Sequence, residues 1–541
     1  MSDQLQLSRL DYAFAQFLVK RSALEKEQAK QFGILVAQLS YAQSQGHSCI
    51  EVATADEKLL LASGLVDDTG TLPLVLENKY LYLQRYWSYE CQLAKNITDL
   101  ITNEHSGSAD IKVIEQYFTS SSAIDWQKEA AKAALVNSFS IITGGPGTGK
   151  TTTVVKILAL LQELAAQPLN IALAAPTGKA AMRLQESIGN SKQKLPCSNF
   201  IRELIPEKVL TIHNLLGARP PSPYFKYNAA SPLPFDIVVI DEVSMIDLPL
   251  MSKLLSALRL DARLILLGDK DQLASVETGT VLADLTLALS KYTQELKVSY
   301  RFKGNIKEFS EAINQQKQQH AWDLLSAGHD DVGLLKDDLI SYIADKQVEY
   351  LSLIRQRADF IACYAAFNAF QVLCVIREGL YSVADINYRV AEQLQDRKLI
   401  NSSAHWYSGR PIMITQNDAV LQLYNGDIGI CMPDQENNKQ LMVFFLSPSG
   451  AVRKYLPARL PHCETVFAMT IHKSQGSEFD EVLLVLPEKI NPILTKELIY
   501  TGITRAKKSI KILATKEVFV ETLQRKVERF SGLANRIRKI T

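Results

Sequence analysis

Gly144-Gly145-Pro146-Gly147-Thr148-Gly149-Lys150-Thr151 (GGPGTGKT, 144–151) stands between an apolar run and a helical pattern. It follows the apolar run SFSIIT (138–143) and precedes TTVVKILALLQEL (152–164), so a buried strand leads through a glycine loop into a helix. That context is the one the pattern G-x-x-x-x-G-K-[ST] requires. The glycines let backbone N–H groups curl around phosphate oxygens, and the helix N-terminus adds partial positive charge. Lys150 is expected to reach the β- and γ-phosphates, Thr151 to ligate Mg²⁺, and Thr152 to lie beside them. ATP and Mg²⁺ are the cofactors this implies.

Further along the chain the texture repeats. NIALAAP (170–176), FDIVVID (235–241) and ARLILLGD (262–269) are apolar strand-like runs, each followed by a helical pattern. A second set comprises QVLCVI (371–376), an amphipathic stretch near 383–394, TVFAMT (465–470), EVLLVL (481–486) and SIKILA (509–514). Strands alternating with helices predict α/β lobes built on parallel sheets. Between the two sets lie a helical stretch (305–370) and strand-like segments at RPIMIT (410–415), DIGICM (427–432) and QLMVFFL (440–446). The Pro-rich piece ARPPSPYFKYNAASPLPF (218–235) interrupts the first set as a loop or hairpin.

The bulk properties narrow the class. A chain of 541 residues with 47% hydrophobic and 22% charged residues is ordinary globular material for several domains. No apolar run is long enough to span a membrane, and the start lacks the basic-then-apolar order of a secretory signal. Seven cysteines stand at 49, 91, 197, 363, 374, 431 and 463 without a C-x-x-C pair, which argues against a metal cluster or disulfide framework and for a reducing bacterial cytoplasm. A net charge of +1 excludes nothing, because a local basic groove can sit on a neutral protein. In the first hundred residues Leu10, Phe14, Phe17 and Leu18 fall at helical spacing, and LYLQRYWSYECQLA (81–94) reads as an interface or core segment.

Other strand ends carry chemistry. Asp241-Glu242 closes FDIVVID, which in a parallel sheet places two carboxylates beside the phosphate loop. Asp241 is expected to hold Mg²⁺ through water and Glu242 to polarise the attacking water. Gln272, after the next buried strand, is placed where a neutral amide could touch the γ-phosphate. Arg301 in VSYRF (298–302) and Arg505 in YTGITRAKK (500–508) lie outside the first lobe and have the chemistry of arginine fingers. Thr177, Gly178 and Lys179, with Thr211 and His213, suit sugar–phosphate contacts, although threonine at such places also caps helices.

Together these residues resemble the superfamily 1 helicases, and within them the RecD family. The resemblance is carried by DWQKEAAKAAL (125–135), GGPGTGKTTT, APTGKAAMRL, TIHNLLG, VVIDEVSMID, LLGDKDQLASVETG, VSYRF, LYNGDIG, TIHKSQGSEFD and YTGITRAKK, in order across 120–515. It implies two RecA-like lobes, a docking module and small β insertions. The boundaries are 1–110 for a mostly helical partner-docking domain, 111–297 for the first lobe with a pin at 218–235, and 298–541 for the second lobe with an SH3-like barrel at about 408–462. It implies that Gln127 recognises adenine, Arg301 and Arg505 contact the γ-phosphate, and Glu478 contacts the ribose, with Gly476 at the nucleotide. Thr177, Thr211, His213, Thr470, His472 and Lys473 would follow single-stranded DNA, along which the family moves 5′ to 3′.

One branch of the family works with RecB-like and RecC-like chains in a heterotrimeric exodeoxyribonuclease V; the other is a stand-alone helicase of repair or conjugation with a longer N-terminal region. The short N-terminal part here favours the subunit branch, with nuclease chemistry on a partner. In AMTIHKSQGSEFD (468–480), Thr470, His472 and Lys473 suit a DNA backbone, while Gln475, Gly476 and Glu478 suit the nucleotide. That stretch is expected to couple hydrolysis to movement.

Overall fold

The computed structural model describes residues 7–102, 111–118, 124–275, 277–301, 304–418, 420–447 and 450–540. Val276 and Phe302 of the quoted motifs, and the expected boundary at 110, lie outside them.

The chain builds two all-parallel α/β lobes. In the first, six strands run in the order Thr293–Glu295, Phe139–Thr143, Arg263–Gly268, Ile237–Ile240, Ile171–Ala175 and Leu210–Thr211. The central strands are buried throughout, as continuous apolar runs covered by helices on both faces must be. The second lobe has five parallel strands ordered Val332–Leu334, Ala506–Leu513, Phe479–Val485, Phe370–Cys374 and Ala468–Thr470. Its large core includes Phe309, Phe519, Val372, Leu483 and Leu484.

An insertion between the helix Val383–Asp396 and the strand Ala468–Thr470 forms a five-stranded antiparallel sheet. Its end strands, Val452–Tyr455 and Cys463–Thr465, do not pair with each other among the described residues. The barrel closure that the resemblance implies is therefore not made by backbone hydrogen bonds. The Pro-rich insertion carries only the isolated antiparallel bridges Ala218↔Phe225 and Asn228↔Ser231, so the expected pin contains no regular strand. Its many prolines remove the donors that a ladder needs.

The N-terminal part is richer than a helical module. Helices Arg9–Val19, Lys26–Ser44 and Thr54–Ala62 pack on a small sheet ordered Cys49–Glu51, Tyr80–Leu83, Leu74–Glu77 and Val66–Asp67. Strands of two to four residues leave too little alternation to be read from sequence. The helix Gln84–Thr102, which carries the aromatic segment, buries Leu93, Ala94, Ile97 and Leu100 in the core of the first lobe. That helix therefore packs with the first lobe although it precedes the expected boundary at 111. Of the aromatics in that segment Tyr82 is buried, while Tyr86 and Tyr89 are half-buried against the first-lobe core. Likewise the terminal helix Leu533–Ile540 leaves the second lobe and inserts Leu533 and Ile537 into the first-lobe core.

Candidate active site

The two lobes enclose a cavity of about 180 Å³ lined from both sides. From the first come Pro146, Gly147, Gly149, Lys150, Thr151, Thr152, Arg183, Asp241, Glu242 and Gln272; from beyond its last strand come Arg301, Glu478, Thr504 and Arg505. These residues are up to 359 positions apart in sequence, from 146 to 505, and the fold makes them one wall.

The phosphate loop adopts the backbone its glycines allow, with Gly147 at φ 75° and Gly149 at φ 85°. Alanine there would be strained. Lys150 Nζ donates to the carbonyls of Gly144 at 2.6 Å and Gly145 at 3.3 Å, so the ammonium is held within the loop's curl. Thr148 Oγ1 donates to Gly145 O at 2.9 Å. Gly144, Gly145 and Thr148 thus form the loop's own scaffold behind the cavity wall. Gln127 Nε2 donates to Thr148 O at 3.2 Å, placing this side chain against the loop and outside the cavity lining.

Asp241 and Glu242 end the central strand Ile237–Ile240. Glu242 takes a left-handed conformation, φ 53°, unusual for a side chain of this type and a mark of local strain. Its N–H donates to Asp241 Oδ1 at 2.8 Å. Burial, then the neighbouring Glu242, pushes the Asp241 carboxyl up to about 6. Two carboxylates and the Thr151 hydroxyl on one wall are a hard-oxygen set that a divalent cation fits.

Gln272 is buried, and each end of its amide is engaged. Nε2 donates to Asp269 Oδ2 at 2.9 Å, and Oε1 accepts from Arg505 Nη2 at 2.6 Å. Arg505 is 2% exposed and also donates Nε to Thr501 O at 3.1 Å and Nη1 to Ser477 O at 3.3 Å. The segment leading to Arg301 lies on the phosphate loop. Ser299 Oγ donates to Pro146 O at 3.0 Å and Tyr300 N–H to Gly147 O at 2.8 Å. The cause is topological: the strand Thr293–Glu295 pairs beside Phe139–Thr143, so the chain leaves the sheet over the loop.

Glu478 is ion-paired with both Arg183 and Arg301, with Lys507 at 3.9 Å. Gly476 is not part of the cavity lining; at φ 71° it turns the chain past Ala180 of the first lobe. Burial lowers Arg301 to about 9, with Arg183 and Arg505 adding repulsion, and lowers Arg183 to about 10. Three guanidiniums and Lys150 thus share one cavity with three carboxylates, Asp241, Glu242 and Glu478.

The residues expected along DNA lie on both lobes. Thr177 and Thr211 hold helix N-termini, accepting from Ala180 N–H and Asn214 N–H at 3.2 Å each. Capping, the alternative weighed for both, is what their hydroxyls do here. They stand on adjacent strand ends, since Ala175 pairs with Thr211. His213 is exposed, its ring 5.7 Å from that of Phe225 in the Pro-rich loop. Gly178 packs under Tyr424 of the inserted sheet, and Lys179 is lowered to about 8 by burial against the pull of Asp427. On the second lobe Thr470 is buried at the end of the edge strand, Lys473 pairs with Glu464 at 2.6 Å, and burial lowers the His472 imidazole. Thr470 and Lys473 line a separate cavity of about 280 Å³ with Arg377, Asn387 and Glu464. In the second lobe the nucleic-acid candidates follow the edge strand Ala468–Thr470, while in the first lobe Thr177, Gly178 and Lys179 follow the internal strand Ile171–Ala175 and Thr211 ends the edge strand beside it.

Arg183, Asp269 and Tyr500 are at or beside the cleft and were not singled out from sequence. Each lies inside a quoted motif. The available signal for Arg183 was helical spacing from Ala180 to Ser187, which puts one face of Gly178–Lys192 toward the loop.

Residues 3–64 match the RecBCD enzyme subunit RecD N-terminal domain, residues 127–278 an AAA domain, and residues 465–512 a UvrD-like helicase C-terminal domain. The chain is 37% identical over 526 residues to the RecBCD enzyme subunit RecD of Haemophilus influenzae, spanning 85% of this chain and 80% of that one. Against the RecBCD enzyme subunit RecD of Mycolicibacterium smegmatis it is 38% identical over 488 residues, spanning 88% and 86%. The ATP-dependent RecD2 DNA helicase of Deinococcus radiodurans is 30% identical over 376 residues, but these make up only 46% of that protein. Identity sustained at this level over most of both chains, together with the matching N-terminal domain, means that the chain belongs to the RecD family of RecBCD enzyme subunits.

Proposed function

We propose that this chain is an ATP-driven 5′→3′ DNA translocase and helicase, one motor of a RecBCD-type heterotrimer in the bacterial cytoplasm. The complex would process double-strand DNA ends for recombination and repair and degrade linear DNA, with the nuclease site on a partner. The observation that carries the reading is the two-sided cleft: Lys150, Asp241, Glu242 and Gln272 face Arg301, Glu478 and Arg505 across one cavity.

In this reading the loop amides and Lys150 bind the β- and γ-phosphates, and Thr151 and Asp241 hold Mg²⁺, which would neutralise phosphate charge. Glu242, strained toward the cavity, accepts a proton from the attacking water. Arg301 and Arg505 stabilise the charge that spreads over the transferring phosphoryl group. Because Arg505 belongs to the second lobe and Gln272 to the first, closing on ATP and opening after hydrolysis would move the lobes against each other. Thr177, Lys179, Thr211 and His213 on one lobe and Thr470, His472 and Lys473 on the other would grip single-stranded DNA through backbone contacts. Gln127 is assigned to adenine from its place beside the loop.

The N-terminal domain, which matches the RecD subunits and shares no core with the nucleotide cleft, is the assigned surface for RecB-like and RecC-like chains. A stand-alone helicase is the second reading, favoured only by the partial likeness to RecD2. Lys150→Gln should abolish DNA-stimulated ATP hydrolysis, a loss on the order of a hundredfold or more, while thermal unfolding is unchanged. Hydrolysis at the wild-type rate by that variant would overturn the nucleotide assignment. Unwinding by the purified chain without partners would select the stand-alone reading.

A further inference from the structure

Behind the phosphate loop Gln272 and Arg505 join a buried polar circuit whose other members, Asp269 and Tyr500, have no part in the mechanism above. Asp269, at the end of the strand Arg263–Gly268, is 2% exposed and accepts three hydrogen bonds. The donors are the Asp271 N–H at 3.1 Å, Gln272 Nε2 at 2.9 Å and the Tyr500 hydroxyl at 3.3 Å. Tyr500 comes from the helix Lys496–Ile503 of the second lobe and is itself 5% exposed. Its hydroxyl stands 3.0 Å from where a Cβ on Gly145 would lie, so it touches the phosphate loop as well. A further bond joins the same elements, from Leu273 N–H to Thr501 Oγ1 at 2.9 Å.

This arrangement decides the orientation of an amide. Gln272 has one end that donates and one that accepts, and nothing in its own chemistry selects which faces Arg505. A carboxylate accepts only, so Asp269 takes the NH₂ end and turns the carbonyl oxygen to the guanidinium, which donates only. Reversed, the amide would present N–H groups to Arg505 and its oxygen to a carboxylate, two buried repulsive contacts. Tyr500 fixes the second lobe to the same carboxylate oxygen that holds Gln272.

We propose that Asp269 and Tyr500 are positioning residues for phosphoryl transfer: from opposite lobes they set the orientation of the Gln272 amide and thereby the place of Arg505 relative to the phosphate loop. The proposal rests on the reading of the cleft as an ATP site. A change at Tyr500 acts on Gln272 through Asp269 and reaches Arg505 without touching nucleotide.

The test uses the full chain carrying Tyr500→Phe, Asp269→Asn or both, with Lys150→Gln as control. Affinities are measured for ADP and for ADP with aluminium fluoride, a mimic of the phosphoryl group in flight, alongside the hydrolysis rate with single-stranded DNA. Tyr500→Phe removes one hydroxyl from a packed site, and its thermal melt should match wild type. Each single change is expected to weaken the aluminium fluoride complex about tenfold, the loss of one charge-assisted hydrogen bond, with ADP affinity within about twofold. The double variant should be no worse than the worse single one, because both act through one circuit. Multiplying losses, or parallel losses for ADP and the mimic, would overturn the positioning role. Failure of the control to lose the mimic complex would instead overturn the ATP-site reading beneath it.

Discussion

Gly147 and Arg301 meet so closely that a Cβ on Gly147 would stand 2.1 Å from the Arg301 Cβ and 3.0 Å from its amide nitrogen. The segment that leaves the first lobe therefore lies directly on the phosphate loop, and one glycine makes both the turn and the approach possible.

Gly147→Ala should accordingly weaken ATP binding by tenfold or more, since the positive φ alone costs about 1–2 kcal/mol before the clash is counted. Equilibrium titration with a fluorescent ATP analogue reads this directly. Wild-type affinity would mean that this backbone contact is no part of the nucleotide site.

Arg505 is held by Gln272 from one lobe and by Thr501 and Ser477 carbonyls from its own. Arg505→Ala should lower kcat on the order of 10³, the scale of an arginine finger, with ADP affinity changed only a few-fold. Arg505→Lys keeps the charge but loses the fork, and should recover little of the rate. Rate and affinity falling together would reject the finger.

Glu478 is the counter-ion of Arg183 and Arg301 within the cleft. Glu478→Gln leaves those guanidiniums facing each other and should destabilise the chain on the order of 2 kcal/mol in buffer free of multivalent anions. Sulfate or ADP should restore much of this by taking the vacated role. A melt that matches wild type in such buffer, without any gain from sulfate, would show that the carboxylate does not balance the cluster.

Asp284, on the helix Val281–Ala288, has its carboxyl pushed from 3.8 up to about 7 by burial, with the Ser531 hydroxyl and the nearby Glu90 charge as smaller influences. The neutral form is the one the fold accepts. Its contribution is thus fully present below pH 3.8 and lost as pH rises through about 7. Asp284→Asn should remove that slope, raising stability by roughly 1–2 kcal/mol at pH 8 and by less at pH 5. Denaturant unfolding at both pH values checks the sign; an equal effect at both would rule out the linkage.

Much of the nucleotide cleft was legible in the sequence because its parts are local. A glycine loop, a strand ending in Asp241-Glu242 and a strand running to Gln272 each declare themselves within a dozen residues, and in a parallel sheet their C-terminal ends converge. Arg183, Asp269 and Tyr500 escaped notice because their importance depends on what faces them. Asp269 reads as an ordinary strand end until Tyr500, 231 positions later, is seen to donate to it. The threonines were ambiguous for a related reason. A threonine before a helix has the same sequence signature as a cap or as a ligand, and in Thr177 and Thr211 the hydroxyls turned to the nearby amides.

The short N-terminal strands were not legible locally, whereas the order of the long elements was: apolar runs that must be buried on both faces, the loop that only glycine can form, and two α/β sets. These follow from periodicity and backbone stereochemistry, which act over a few residues. Tertiary structure alone decided which surfaces meet. Gln84–Thr102 and Leu533–Ile540, from opposite ends of the chain, both complete the core of the first lobe. The segment before Arg301 is held over the phosphate loop by Ser299 and Tyr300. Burial of apolar area has no sequence address, so its partners are settled only when the competing surfaces are all present.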